Sequence, residues 1–383
     1  MTIKLYDNDS HATDFDAVVV SCEKAKKGYK TELDRTLFFP EEGGQCADRG
    51  TVNGVEITQV ELDGDTIYHY SDTPFEAGTA VHGTIDFDLR FRNMQNHTGE
   101  HIICGIAHRL FGYNNVGFHL GADYVTMDLD GELSNKDLHK IELLANEAVA
   151  KNMPVICRYP SPEELKELDY RAKLDITENV RIVTVGDVDC CACCAPHVNY
   201  TGEIGVIKIL DAIHYKGGMR LNILCGSLAV EDYHARYMRN VEISNLLSAK
   251  QQDIVPAVQK LLDDNNSLKQ QLADKNKQIA TIIAQSVQPS QRNICLYNSM
   301  LAPDMLRLVA NEAMHKAGGI LVVLCGNDND GYKYVMAVCS GDISEHVKAA
   351  NAALNGRGGG KGSMAQGSFG ASREQIEDYF NKV

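Results

Sequence analysis

Two histidines stand one helical turn apart, at His97 and His101, in the segment "NHTGEH". The stretch around them, "MQNHTGEHIICGIAHRLFG", is mostly apolar, with Met94, Cys104 and Ile106 among the histidines, and it reads as a helix stopped by Gly112. Helical residues four apart are stacked neighbours, about 5–6 Å between β-carbons, so both imidazoles can point at one ion. A pair of buried histidines hydrogen-bonded to their surroundings is the plainer reading of the same spacing. A second segment, "DVDCCACCAPHVNYTGEIG", repeats the four-residue step with Cys193 and His197, and Pro196 forbids a regular helix between them. Two histidines from a helix with a cysteine and a histidine from a turn make the nitrogen/sulfur donor set that tetrahedral zinc prefers. Rival sets exist, because Cys190 with Cys193, or Cys191 with Cys194, each form a C-x-x-C pair. Such a pair can also be a redox dithiol, although the segment does not open a helix in a thioredoxin-like βαβ unit.

A third segment, "TLFFPEEGGQCADRGTVNG", holds Thr36, Gln45 and Asp48 beside Gly43 and Gly44. The glycines permit close backbone approach, the amide of Gln45 both donates and accepts, and Thr36 adds a hydroxyl. A plain hairpin turn explains the glycines but not the polar residues beside them.

These residues need elements to hold them. The chain has 383 residues, 44% hydrophobic and 23% charged, which implies two or three domains. Its net charge of −15 opposes indiscriminate nucleic-acid binding but not a local basic groove. No stretch of 18 apolar residues occurs, so no membrane span is expected. The polar, acidic start "MTIKLYDNDSHATDF" is unlike a secretory signal, and a cytoplasmic protein with reduced thiols among its 12 cysteines is expected. An α+β fold is expected. Residues 1–90 read as a small β-barrel from short apolar runs between Gly, Asp-Gly and Asn-Gly turns. Residues 91–230 interleave helices and hairpins as an α+β domain around the metal group. Within it Ser134 or Asn135 caps one helix, and "SPEELKELDYRAK" is another. Residues 231–288 carry apolar positions at three- and four-residue steps, the pattern of a helical stalk or coiled coil. Pro256 breaks it, with Asp253 capping the second helix. Such a stalk fits a homodimer interface or a helix packed on its own chain. Residues 289–383 form an α/β domain ending in "NGRGGGKGSMAQGSFG".

Taken together, "TLFFPEEGGQCADRG", "HTGEH" and "CCAPH" followed by "TGEIG" resemble the editing domain of alanyl-tRNA synthetases and its free-standing relatives, the AlaX trans-editing proteins. The likeness covers residues 1 to about 230. The tail "GRGGGKGSMAQGS" is similar to the glycine-rich end of the synthetase carboxy-terminal domain, also found in DHH phosphoesterases, though no Asp-His-His motif is present. With the stalk this is similar to the long class of AlaX proteins. The resemblance implies an ATP-independent deacylase that removes serine, and sometimes glycine, from tRNA specific for alanine. It implies one zinc per chain on His97, His101, Cys193 and His197. Gln45 would orient water or the ester, and Thr36 would hydrogen-bond the serine hydroxyl. Arg92, with Arg90, would touch the acceptor stem. Arg357, Gly358, Gly359, Gly360 and Lys361 would hold a tRNA phosphate. A non-catalytic, dimeric tRNA-binding scaffold with a structural zinc is the alternative. Two departures stand out: Glu42 replaces the first of the family's usual three glycines, and the usual Cys-Gly-Gly-Thr-His is here Cys193-Cys194-Ala195-Pro196-His197.

Overall fold

The computed structural model describes residues 1–121, 125–172 and 179–383. It divides into two compact units, Met1–Val241 and Glu242–Val383. Among the described residues the first unit opens with a seven-stranded antiparallel sheet. Its order is Val55–Ile57, Gly50–Val52, Ala80–Ile85, Asp14–Lys24, Tyr29–Leu33, Thr66–Ser71 and Gln59–Asp63. The two edge strands are chain neighbours separated by Thr58 alone, so the sheet curls until it nearly closes, as a barrel requires. Alternation in Asp14–Lys24 turns Phe15, Ala17 and Val19 inward, where they meet Leu33, Phe38, Phe39 and Ile67.

Asp86 caps the next element, the helix Phe87–Phe111, by accepting from the Leu89 N–H, and Gly112 ends it in the left-handed conformation. The helix lies against a four-stranded antiparallel sheet ordered Asn115–Leu120, Val125–Leu129, Gly218–Cys225, Ile207–Tyr215. Ser134 caps the helix Asn135–Ala150 in a reciprocal capping box with Asp137. A three-stranded sheet follows, Val155–Arg158, Ile182–Val185, Asp189–Ala192. The helix expected over "SPEELKELDYRAK" is shorter than its pattern: it spans Pro162–Glu167, and Leu168 is already extended.

The segment "MRLNILCGSLAV", whose apolar pattern reads as strand, is strand only in its first half. The strand ends at Cys225, Gly226 turns with positive φ, and a helix runs Ser227–Leu246. The interruption before Pro256 is where it was expected, as a short 3₁₀ turn Gln251–Asp253 and a new helix Ile254–Ser286. Asp253 holds the N-cap position but its side chain accepts no cap hydrogen bond, contrary to expectation. Pro256 sits in the first helical turn, where its missing N–H costs nothing. Val255, Leu261, Leu268, Leu272 and Ile282 of this helix are exposed, whereas Ala280, Ile283 and Ala284 are buried against the helix Leu306–Ala313.

That helix and Ser344–Ala353 accompany the five-stranded sheet of the second unit, ordered Ile294–Tyr297, Ile320–Asn327, Gly331–Val338, Met364–Phe369, Arg357–Gly359. Among the described residues no helix is long and apolar enough to cross a membrane.

Candidate metal centre

The histidine helix brings His97 and His101 onto one face, and the turn after the strand Asp189–Ala192 delivers Cys193 and His197. One donor atom from each of the four lies within 4.8 Å of the other three, and all four residues are buried or half-buried. The Cys193 Sγ is 3.5 Å from Nε2 of His97 and 3.5 Å from Nε2 of His197. Ligands at about 2.3 Å (sulfur) and about 2.05 Å (nitrogen) from a tetrahedral zinc stand about 3.5 Å apart, so the spacing suits zinc without rearrangement.

Each ring is oriented from behind. His97 Nδ1 lies 2.9 Å from Gln45 Oε1, His197 Nδ1 lies 3.0 Å from Thr98 Oγ1, and His101 Nδ1 lies 2.9 Å from Asp189 Oδ2. With Nδ1 donating outward, every Nε2 offers its lone pair to the centre, the arrangement that outer partners impose on metal-binding imidazoles. Asp189 is itself gripped by Arg171 through two 2.8 Å hydrogen bonds. Gly105 makes that approach possible, because a β-carbon there would lie 2.4 Å from the Val188 carbonyl oxygen.

Charge follows geometry. Burial raises the Cys193 thiol, but the surrounding imidazoles, His97 first and then His101 and His197, carry it well below its ordinary range, which favours the thiolate. Burial opposes charge on His101, yet the Asp189 bond and Cys193 hold its pKa well up. Burial brings His197 down to about 3, so it is neutral. Asp189 resists the cost of burial through His101 and Arg171 and falls to about 2. The group therefore demands a positive charge beside the thiolate, and either a proton on His101 or a divalent ion supplies it.

Among the rival cysteines, Cys191 joins His101 and Asp189 in a second, overlapping group of three. Cys190 faces the Thr184 hydroxyl at 3.8 Å, and Cys194 lies over Gly43. Spacing alone did not separate these thiols; within the strand Asp189–Ala192 successive residues alternate faces, so Cys190 and Cys191 point apart, and Cys193 and Cys194 follow in the turn.

The expected partners divide. Gln45 reaches the group by holding His97, and its amide nitrogen is buried without a hydrogen-bond partner. Thr36 does not reach it. Its hydroxyl is 2.8 Å from His69 Nε2, accepts from the Phe38 N–H and is fully buried in the barrel. Burial lowers His69 to about 4, so that ring is neutral. Arg90 is not a surface contact for tRNA: it is fully buried and paired with Asp48, and it donates to the Leu37 carbonyl at 2.6 Å. This ion pair ties the barrel to the histidine helix. Arg92 is half-buried on the same helix. A cavity of about 350 Å³ opens on the metal group, walled by Glu42, Gly43, Tyr159, Arg181 and Cys194 beside His97, His101 and Cys193. Sequence reasoning missed Asp189 and Arg171. The position of Asp189 directly before "CCACC" was the available signal, and Arg171 had none.

In the second unit Arg357, Gly358, Gly359, Gly360 and Lys361 form an exposed edge strand and turn. Two of the glycines have a packing reason. A β-carbon at Gly358 would lie 2.4 Å from the Gln366 carbonyl oxygen, and one at Gly360 would lie 2.3 Å from that of Met364. Gly359 faces open space, and Arg307 shares a cavity with Gly359, Gly360 and Lys361.

The family profile described as "Threonyl and Alanyl tRNA synthetase second additional domain" matches residues 180–221, the strands and turn that carry Cys193 and His197. The chain is 27% identical over 400 residues to alanyl-tRNA editing protein AlaX-L of Pyrococcus horikoshii, covering 99% of this chain and 97% of that protein. It is 30% identical over 300 residues to alanyl-tRNA editing protein Aarsd1 of Bos taurus, covering 74% of this chain and 68% of that one. An alanine–tRNA ligase of Methanoregula boonei is 30% identical over 391 residues, and the chain spans 96% of itself but 41% of the ligase.

Proposed function

The chain belongs to the alanyl-tRNA editing proteins, and from that membership we propose how its buried metal group serves the removal of a wrong amino acid from tRNA. It is an aminoacyl-tRNA deacylase, an ester hydrolase. Its substrate is tRNA specific for alanine that carries serine, with the glycyl ester as a second substrate. The observation that carries this reading is the convergence of four N and S donors, each oriented from behind, in the wall of a cavity.

His97, His101, Cys193 and His197 would hold a zinc ion, which supplies positive charge for an ester carbonyl or anchors the aminoacyl end. The remaining work falls to the chain. Gln45 fixes His97 through Oε1. The Asp189–Arg171 pair fixes His101, and Thr98 fixes His197.

Selectivity for serine over alanine cannot be a size filter, because the alanyl group is smaller. It needs a polar group that alanine leaves unpaired. Thr36 has already given its hydrogen to His69 and accepted one from Phe38. The Gln45 amide nitrogen has no partner, and a serine hydroxyl oxygen can accept from it where a methyl group cannot. Gln45→Glu keeps an acceptor for His97 and removes the donor. The ratio of kcat/KM for seryl over alanyl ester should then fall about ten- to a hundredfold. An unchanged ratio would place the hydroxyl reader elsewhere in the cavity.

A further inference from the structure

We infer that Glu42 is the site for the α-ammonium of the aminoacyl group, held by a carboxylate that the family's usual glycine at this position cannot offer. The inference rests on the deacylase reading above and adds a specificity-determining residue to it. Glu42 and Gln45 face each other across a two-residue turn: the Glu42 N–H donates to the Gln45 carbonyl at 3.2 Å, and the Gln45 N–H donates back at 3.0 Å. Gly43 and Gly44 have φ of +63° and +84°, the left-handed pair that such a primed turn requires. Directly opposed residues of an antiparallel bridge put their side chains on the same face. The Gln45 side chain points to His97, so Glu42 must point toward the metal group as well. It does, since Glu42 lines the cavity together with His97, His101 and Cys193.

Its carboxylate is only partly engaged, through a hydrogen bond with the Cys194 side chain. Glu42 Oε2 is buried and has no hydrogen-bond partner. Among the described residues the cavity wall holds three cations, Lys4, Arg171 and Arg181, and the two arginines are engaged with other residues. Arg171 grips Asp189, and Arg181 binds the carbonyls of Cys193 and Ala195 and pairs with Asp7 at 3.3 Å. A buried anion left unpaired is costly, which favours a cationic ligand. The aminoacyl ester brings one such group, an ammonium on the carbon next to the reacting carbonyl. Gln45 and Glu42 would then read the two polar substituents on the Cα side of the ester, hydroxyl and ammonium, from adjacent positions of one turn.

The test compares seryl-tRNA with its deaminated isostere, the 2,3-dihydroxypropionyl ester of the same tRNA, which replaces ammonium by hydroxyl at nearly constant size. The parent should prefer the seryl ester by about ten- to a hundredfold in kcat/KM, mostly through KM. In Glu42→Gln that preference should collapse toward unity while bound metal stays at the parent level. Glu42→Gly, the family's residue, should behave as Glu42→Gln does and serves if the glutamine variant folds poorly. A parent that hydrolyses both esters equally overturns the assignment without any variant, as does a variant that keeps the parent's preference. A parent that hydrolyses neither ester refutes the deacylase reading itself, a separate and recognisable outcome.

Discussion

The metal group and the glycine-rich turn of the second unit were both singled out by short motifs, yet they are built on opposite principles. Around His97, His101, Cys193 and His197 the polar side chains are buried, and each ring has an outer partner that fixes its orientation. Arg357 through Lys361 lie exposed on a sheet edge, with glycines that let two strands approach closely. Where charge is buried and paired, removing one atom leaves its partner stranded in a medium of low dielectric. Where charge is exposed and screened, each residue contributes little and the sum matters. We propose the first region for chemistry and the second for holding a long polyanion.

Substitutions should expose that contrast, beginning with a ligand. Cys193→Ala should cost the bound zinc and reduce deacylation by about a thousandfold or more, since several kcal/mol of charge stabilisation go with the ion. Full zinc retention in that variant would move the site to Cys190, Cys191 or Cys194. Next in size is the ion pair that joins barrel and helix. Asp48→Ala strands the fully buried Arg90 and should lower stability by about 3–5 kcal/mol, read as a drop in the urea midpoint of the first unit. A loss below about 1 kcal/mol would show that Arg90 is not held as described.

The barrel should also report on pH. His69 is held to about 4 when folded against 6.5 unfolded, so the unfolded chain takes its proton first as pH falls. Stability is full above about pH 6.5 and declines through the window down to about pH 4, by about 3 kcal/mol for this one group. In His69→Asn that component of the acid slope should vanish; an unchanged slope would refute the assignment. Behind the metal, Asp189→Asn should weaken zinc affinity about ten- to a hundredfold without removing a ligand. Equal affinity in competition with a chelator would show that His101 needs no outer partner.

The smallest effects belong to the second unit. Arg357→Ala and Lys361→Ala should leave kcat unchanged. Each should weaken tRNA binding a few-fold and reduce the salt slope by about 1. No change in that slope would show that the turn is not a phosphate contact.

What was legible in the sequence follows the same division. The four presumed ligands could be read because each pair lies within one turn of chain, so local geometry suffices. The strands of the seven-stranded sheet were legible from alternation such as that of Phe15, Ala17 and Val19. The outer partners were not, because Asp189 and His101 are 88 positions apart and meet through tertiary packing that the absent side chain of Gly105 permits. Arg90 and Arg92 read alike as surface cations beside a helix, and nothing local reveals that Arg90 points into the barrel. Thr36 reads as the partner of the serine hydroxyl; the buried neighbour that takes its hydrogen, His69, lies on a strand 33 positions away and could not be read locally.

The central claim is that the buried four-donor group makes this chain a metal-dependent deacylase of mischarged tRNA. Hydrolysis of seryl-tRNA specific for alanine by the full chain, before chelation, after it and after restoring zinc, tests that claim most directly. Serine should be released rapidly, its release should be lost on chelation and return with about one zinc per chain, and the alanyl ester should be spared throughout. Undiminished hydrolysis by the metal-free protein, or none by the zinc-loaded protein, would contradict it.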